Sequence, residues 1–307
     1  MQSEDQGTAI WTELSVSFAD IVSSLQDSIV AVQGGGRSTS TGVLWRPGII
    51  VTVRHSIRRT EGIKVIQRNS ETAIDATLIG SDRGTDLAVL RVDSAALKAV
   101  TPAEAQDQRV GDLVLSVGRS GLGDISASAG IIARIGDSWR TWQGGNVDRL
   151  IRPDVTIYVG QAGSALVDRR GQVLGINTTA LARSAVITVP VRTIDRVINS
   201  IIERGHVPLP YLGLGMQAVP VPESIRAQIP QDADQVLLVM HLEPAGTATQ
   251  GGLLVGDLVI SLNGEFLHSV PEFQHRIANL DIGASVSLDV IRGGNKMTLT
   301  LNVGDRD

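Results

Sequence analysis

Several features are missing from this sequence, and each absence excludes a class of protein. The 307 residues include no cysteine, which excludes disulfide bonds, thiolate metal sites and a cysteine nucleophile. The net charge is −5, without any block of lysine and arginine. A nucleic-acid partner is therefore not expected, because sequence-independent binding needs a basic face. No apolar run reaches the roughly 18 residues that a membrane-spanning helix requires.

The start of the chain lacks the features of a secretory signal peptide. Residues 1–5 are acidic and no apolar stretch follows them, whereas a signal peptide has a basic start and an apolar core. If the native protein is exported, we expect a targeting or anchor segment to have been removed from this chain.

Apolar residues occur mainly in short runs between glycines, which predicts a mostly β protein. A chain of this length exceeds one ordinary domain and favours two. The runs are 43–45, 49–53, 87–92, 113–117, 173–176 and 185–191, and then 211–217, 236–241, 258–262, 286–290 and 297–301.

Helical spacing of apolar residues and one proline-bearing segment indicate the domain limits. Helices are predicted over 10–25, over 191–204 with Gly205 as the stop, and over 271–280. The expected organisation is an N-terminal extension over 1–15, a first domain over 16–205, a linker over 206–210 and a second domain over 211–307.

Three polar features of the first domain follow a recognisable order. His55 is the one histidine among the first 205 residues and follows the apolar run 49–53. Asp86 heads the next apolar run, and a glycine-rich turn spans 160–163. Alone, such a histidine is usually a surface residue and such an aspartate a turn residue. The order His, Asp, glycine-rich turn is that of chymotrypsin-type serine proteases.

These motifs together resemble the HtrA (Deg) family of trypsin-like serine proteases. The matching segments are Thr52–His55, Asp86–Leu90, Asp154–Leu166 and Gly175–Thr178, and, for a PDZ domain, Pro244–Gly246 and Gly251–Ile260. The resemblance implies a chymotrypsin-like double β-barrel followed by a PDZ domain with one or two helices. It implies an endopeptidase for unfolded or exposed protein segments in quality control, without cofactor or metal.

The match fails at the nucleophile position, which is Ala162. A methyl group cannot attack a carbonyl, so the chain as written is expected to be inactive. Ser164 is a poor substitute, because a shift of two residues in a tight turn misplaces the hydroxyl, and we interpret it as a turn or pocket-wall residue. The alanine is either an engineered Ser→Ala change, which we favour because the other parts are retained, or the mark of a natural pseudoprotease acting as a peptide-binding scaffold.

The resemblance also implies roles for residues around this turn. His55 is the general base, Asp86 orients it, and the backbone of Gly160, Gln161 and Ala162 forms the oxyanion hole. The walls of the S1 pocket come from 155–160 and 180–186, which favours a small or medium apolar P1 residue. The strand 185–189 is expected to pair with an extended substrate. The substrate-binding residues are then Thr178, Ala185, Val186, Ile187 and Thr188.

For the second domain the resemblance implies binding of C-terminal peptides. Tyr211, Leu212, Gly213 and Leu214 look like the carboxylate-binding loop of the family, and Met216 and Ile277 are expected to line the side-chain pocket. The alternative interpretation is a β-turn with core residues.

Assembly and location follow from the resemblance alone. It implies a homotrimer joined through the N-terminal region, where Trp11, Leu14 and Phe18 are apolar; packing of that helix on its own barrel is the alternative. An extracytoplasmic location, in the periplasm or cell envelope, is implied as well. A third alternative, a two-domain adaptor, predicts that His55 and Asp86 are not in contact.

Overall fold

The fold is mostly β, as predicted, and consists of two compact units, Met1–Val207 and Pro208–Asp307. The computed structural model describes residues 2–35, 39–67, 73–93, 97–104, 107–121, 124–231 and 233–306. The division lies inside the segment 206–210, which the sequence marks as a linker. In the described ranges no helix combines the length and apolar character needed to cross a bilayer.

The first unit contains two closed barrels of six strands each. The first barrel comprises β1 (Ile29–Gln33), β2 (Ser40–Arg46), β3 (Ile49–Val53), β4 (Ile63–Ile66), β5 (Ile74–Asp82) and β6 (Leu87–Val92), in the order β1-β2-β3-β6-β5-β4. Its interior holds β-branched and leucine side chains such as Val30, Ile50 and Leu90, all fully buried. A short 3-10 helix, Arg54–Ser56, follows β3.

The second barrel follows in sequence and carries a small separate hairpin. Its strands are β7 (Leu113–Ser120), β8 (Asp124–Gly136), β11 (Leu150–Asp154), β12 (Ala165–Val167), β13 (Val173–Thr178) and β14 (Ile187–Pro190), in the order β11-β14-β13-β12-β7-β8. The hairpin is formed by β9 (Trp139–Arg140) and β10 (Asn146–Val147).

Two helices flank the barrels. Helix α1 spans Gln2–Ser24, so it begins earlier than the predicted helix, and the expected limit between 15 and 16 lies inside it. Its C-terminal part packs on the protein through Ile21, whereas Trp11 is exposed. Helix α2 spans Val191–Arg204 and ends at Gly205, whose left-handed φ of 83° and amide bond to the Ile201 carbonyl form the predicted stop.

The second unit is a twisted sheet with one well-formed helix. It contains β15 (Pro210–Tyr211), β16 (Leu214–Pro220), a 3-10 helix (Glu223–Gln228), β17 (Gln235–Leu242), α3 (Thr247–Gln250), β18 (Leu258–Leu262), β19 (Glu265–Phe266), α4 (Val270–Ile277), β20 (Ser285–Arg292), β21 (Asn295–Asn302) and β22 (Gly304–Asp305). The main order is β16-β17-β18-β20-β21, so β16 is an edge strand. Ser269 caps α4 by accepting a hydrogen bond from the Glu272 amide.

An ion pair with a buried carboxylate connects the residue before β18 to the end of β20. Arg292 donates to both carboxylate oxygens of Asp257, at 2.8 and 2.7 Å, and the Leu254 amide donates to the same carboxylate. Burial raises the pKa of the Asp257 carboxyl, but these hydrogen bonds and the Arg292 charge outweigh it and hold the pKa below its ordinary value. The carboxylate therefore stabilises the fold when it is ionised.

Replacement Arg292→Ala is expected to destabilise the second unit by about 2 kcal/mol, because it leaves the buried Asp257 charge unpaired. Hydrogen–deuterium exchange of β18 and β20 in the whole chain is then about 30-fold faster.

Since the folded pKa of Asp257 is lowered, the stabilisation by the ion pair is complete near neutral pH and is lost as the pH falls below about 4. The matched control is Lys296→Ala, whose half-exposed pair with Asp289 contributes less than about 1 kcal/mol. Equal effects of both changes would contradict this account.

Candidate active site

His55 and Asp86 are in direct contact. His55 lies on the short helix after β3, Asp86 lies in the turn before β6, and Val53 and Leu87 pair across these two strands. The His55 Nδ1 is 2.7 Å from Asp86 Oδ2, and the His55 amide donates to Asp86 Oδ1 at 3.0 Å. The adaptor alternative, which requires the two side chains to be apart, is therefore excluded.

The Asp86 carboxylate is held from a third side by the second barrel. The Thr178 hydroxyl donates to Asp86 Oδ2 at 2.5 Å. Asp86 is nearly completely buried and has a left-handed φ of 60°, a conformation that aspartate tolerates better than most residues. The preceding turn is closed by Asp82, which accepts from the amides of Gly84 and Thr85. Such fixation keeps the imidazole in one orientation.

The turn that carries Ala162 is anchored to both barrels. The Thr41 amide of β2 donates to the Ala162 carbonyl at 2.9 Å, and the Gly163 amide donates to the Asn177 carbonyl of β13 at 2.9 Å. Gly163 has a φ of 90°, and a Cβ there would lie 2.2 Å from the Thr41 carbonyl oxygen, so no other residue fits. Asn177 and Thr178 are neighbours in β13. This strand therefore binds the turn through Asn177 and the Asp86 carboxylate through Thr178.

Two of the three amides predicted to form the oxyanion hole donate no hydrogen bond within the described part of the chain. Among the described residues, the amides of Gly160 and Ala162 have no hydrogen-bond acceptor. The Gln161 amide, in contrast, donates to the Tyr158 carbonyl at 3.0 Å, and this bond removes it from the predicted hole. Gln161 acts through its buried side chain, which accepts from the Tyr158 amide and donates to the Ser126 hydroxyl.

Ser164 lies inside the second barrel. It is fully buried, and its hydroxyl lies 2.9 Å from the Ser116 hydroxyl and 3.2 Å from Asn177 Nδ2. The Thr188 hydroxyl completes this buried network by donating to Asn177 Oδ1 at 2.7 Å. Ser164 is thus a core residue rather than a pocket-wall residue, and it is unavailable as a nucleophile.

The predicted substrate strand requires a correction. Thr188 pairs with Asn177 of β13 on one side and with Ile151 of β11 on the other, so both edges of β14 are paired at this residue. Ile187 is buried and pairs with Thr178, whereas Ala185 and Val186 precede the strand. Strand addition at Ile187 and Thr188 is therefore excluded, because these residues lie inside a closed barrel.

A different stretch offers an open edge beside the turn. Strand β12 begins at Ala165, opposite Ile176 of β13. Beyond that point the Asn177 backbone is bonded to Gly163 and Ser164, β13 ends at Thr178, and Thr179 and Ala180 form a bend and a turn. In the described part of the chain, residues 178–180 pair with no strand on this side. Sequence reasoning missed this edge because Thr179 and Ala180 follow the recognisable apolar run.

In the second unit, the loop before β16 contains a left-handed glycine and two backbone amides for which the described residues offer no acceptor. Gly213 has a φ of 74°, and its carbonyl accepts from the Glu243 amide at 2.8 Å. The Leu212 carbonyl accepts from the Ala248 amide. For the described residues, the amides of Leu212 and Gly213 have no acceptor. The Tyr211 hydroxyl donates to Glu243 at 3.0 Å.

The predicted pocket residues of this unit lie between β16 and α4. Ile277 of α4 is buried in the core, and Leu214 and Met216 of β16 are half-buried against the same core. Leu212 is also a core residue. β16 is thus an edge strand that is in contact with α4.

Comparison with known proteins finds similar serine endoproteases. A trypsin-like peptidase domain matches residues 40–176 and a PDZ domain matches residues 210–303. A protein of Halomonas elongata named "Probable periplasmic serine endoprotease DegP-like" is 30% identical over 275 residues, covering 88% of this chain and 57% of that protein. The periplasmic pH-dependent serine endoprotease DegQ of Escherichia coli is 29% identical over 263 residues, 83% of this chain and 56% of that protein.

Solved structures extend the similarity over both units. A serine-to-alanine variant of the HtrA-type protease AlgW, with a decapeptide, superposes with a TM-score of 0.73 at 27% identity, covering 94% of this chain and 98% of that chain. This chain spans about half the length of the curated relatives it matches.

Proposed function

We propose that this chain, which belongs to the HtrA family of trypsin-like proteases with a PDZ domain, is a serine endopeptidase silenced at its nucleophile position. The substrates proposed are unfolded or exposed protein segments. The observation that carries the proposal is the His55–Asp86–Thr178 arrangement beside the anchored turn of Ala162. The test is hydrolysis of casein after Ala162→Ser.

With serine at 162, the reaction is acyl transfer through a covalent intermediate. His55 Nε2 takes the proton as the serine oxygen attacks the scissile carbonyl, and the imidazolium then gives it to the leaving amine. Asp86 accepts from Nδ1 and thereby keeps Nε2 free as the base. The amides of Gly160 and Ala162 stabilise the oxyanion, and water, deprotonated by His55, releases the acyl group.

We interpret Ala162 as an engineered Ser→Ala change. The supporting observation is that the parts serving only catalysis are retained, including the short bonds to Asp86 and the free amides of the turn. The competing function, a natural pseudoprotease that captures peptides without cutting them, is favoured by the alanine itself. Both functions use the same binding edge, so hydrolysis after Ala162→Ser distinguishes them.

We further propose that the second unit binds C-terminal peptides and so regulates the protease. The free amides of Leu212 and Gly213 suit a terminal carboxylate, and the edge of β16 suits an added strand. Leu214, Met216 and Ile277 supply apolar surface for the last side chain.

Replacement Gly213→Val is expected to weaken peptide binding at least tenfold, because it forces a different backbone in the carboxylate loop. The position has positive φ, and a Cβ would meet the Gly246 Cα at 3.0 Å. Fluorescence polarisation with a peptide ending in a free carboxylate measures the effect. Gly293→Val is the control, since Gly293 also has positive φ but an added Cβ meets nothing within 4 Å. Undiminished binding by the Gly213 variant would refute the assignment.

Assembly and location are proposed from the relatives and from α1. An extracytoplasmic location is proposed because the curated relatives are named periplasmic. A homotrimer is proposed because α1 leaves Ile10 and Trp11 exposed, at 64% and 72%, whereas Phe18 packs against its own barrel. Leu14 lies between these two groups and is half-buried.

A further inference from the structure

An incoming peptide that reaches past Thr178 along the open edge 178–180 needs a backbone group of Ala180 as its hydrogen-bond partner. Ala180 lies two residues beyond Thr178, in the turn that follows the end of β13. The Ala180 amide is already used, since it donates to the Thr178 hydroxyl at 3.1 Å. The Ala180 carbonyl is thus the group that an added strand would need.

The Ala180 carbonyl already accepts a hydrogen bond from an indole. Trp142 Nε1 donates to the Ala180 carbonyl oxygen at 3.4 Å, while 72% of the Trp142 residue is exposed. The bond is long, and little of the ring is buried, so little packing is lost when the ring moves away.

A rigid loop holds the tryptophan in this place. The Thr141 hydroxyl donates to the Gly84 carbonyl at 2.7 Å, in the turn that leads to Asp86. Gly84 and Gly145 touch so closely that a Cβ on Gly84 would lie 2.5 Å from the Gly145 Cα. The loop base is therefore fixed, and the Trp142 side chain is the part free to turn.

We propose that Trp142 caps the substrate-binding edge and that an extended peptide must displace it. The inference rests on the proposed endopeptidase function and specifies how its substrate enters. The substrate residue that contributes the scissile carbonyl lies beside Thr178, which is bound to Asp86. Two residues upstream, the substrate N–H lies opposite Ala180 and competes with the indole N–H for one carbonyl. Substrates too short to reach Ala180 do not meet the cap.

The test uses Trp142→Phe, which keeps an aromatic ring but removes the N–H donor. The probe is acetyl-Ala-Ala-Pro-Val-amide, whose blocked C-terminus gives the second unit no carboxylate to bind. Calorimetric titration of the whole chain, with Ala162 in place, measures binding without hydrolysis. The variant is expected to bind the probe about threefold to tenfold more tightly, the range of one neutral hydrogen bond.

Two controls isolate the hydrogen bond. Leu254→Ala changes an exposed apolar side chain of the second unit, at 52%, and should leave binding unchanged. A probe methylated on the backbone nitrogen of its second alanine cannot donate to Ala180, so Trp142→Phe should not improve its binding.

Three results would overturn the cap: equal or weaker binding of the probe by the Trp142 variant, an equal gain for the methylated probe, or no binding by either form of the chain. Failure of the endopeptidase proposal is judged separately, by casein hydrolysis with serine at position 162.

Discussion

Casein is expected to be cleaved when Ala162 is replaced by serine, at a rate on the order of 10³- to 10⁶-fold above that of the chain as written. The magnitude follows from the loss that accompanies removal of a triad nucleophile. The rest of the site is already in place, because His55 is oriented by Asp86 and two amides of the turn are free. Cleavage is measured by gel electrophoresis over time, with folding checked by circular dichroism.

The control for this result is the double change Ala162→Ser with His55→Ala. It should return the rate to that of the alanine chain, because the serine hydroxyl is not activated without the imidazole. A folded Ala162→Ser protein that leaves casein intact would reject the endopeptidase proposal and favour the peptide-binding scaffold.

Replacement Asp86→Asn in the serine background is expected to lower kcat by about 10⁴-fold with little change in KM. Asparagine keeps the size of the side chain and tolerates the left-handed φ of 60°. Its NH₂ group, however, donates toward His55 Nδ1, so the ring proton moves to Nε2 and the base is blocked. Steady-state kinetics with a peptide p-nitroanilide separates kcat from KM.

The matched control for this change is Asp75→Asn. Asp75 pairs with Lys64 on an exposed part of the first barrel, with 83% of its side chain accessible. This substitution should leave kcat within about twofold, since exposed pairs contribute little. If Asp86→Asn behaved like Asp75→Asn, the orienting role of Asp86 would be refuted.

Features that depend on neighbouring residues were predictable from the sequence. The helix stop at Gly205 is one example, because a glycine after an apolar helical stripe suits the left-handed C-terminal position. The contact between His55 and Asp86 was predictable for another reason: each follows or precedes an apolar run, and the family resemblance orders those runs as neighbours.

Features that depend on pairing between distant strands were not predictable. Strand β8 (Asp124–Gly136) consists largely of Ser, Ala, Gly and Ile, and such residues give a weak alternating pattern. The sequence predicts a free edge at Thr188, although β11 covers it. For Ser164 it predicts a turn or pocket-wall residue; the amide does close the turn by donating to the Gln161 carbonyl, but Ser116 and Asn177 enclose the side chain in the core. In each case the partner lies more than ten residues away, beyond the reach of local periodicity.

The distribution of the site over two barrels has a consequence for synthesis. The imidazole and its carboxylate partner belong to strands that are complete by Val92, whereas the turn with position 162 and the hydroxyl of Thr178 come from the second barrel. With serine restored, a nascent chain would have no cutting ability until the ribosome had passed residue 178 and the second barrel had closed. Cleavage would therefore be confined to chains whose second barrel has closed.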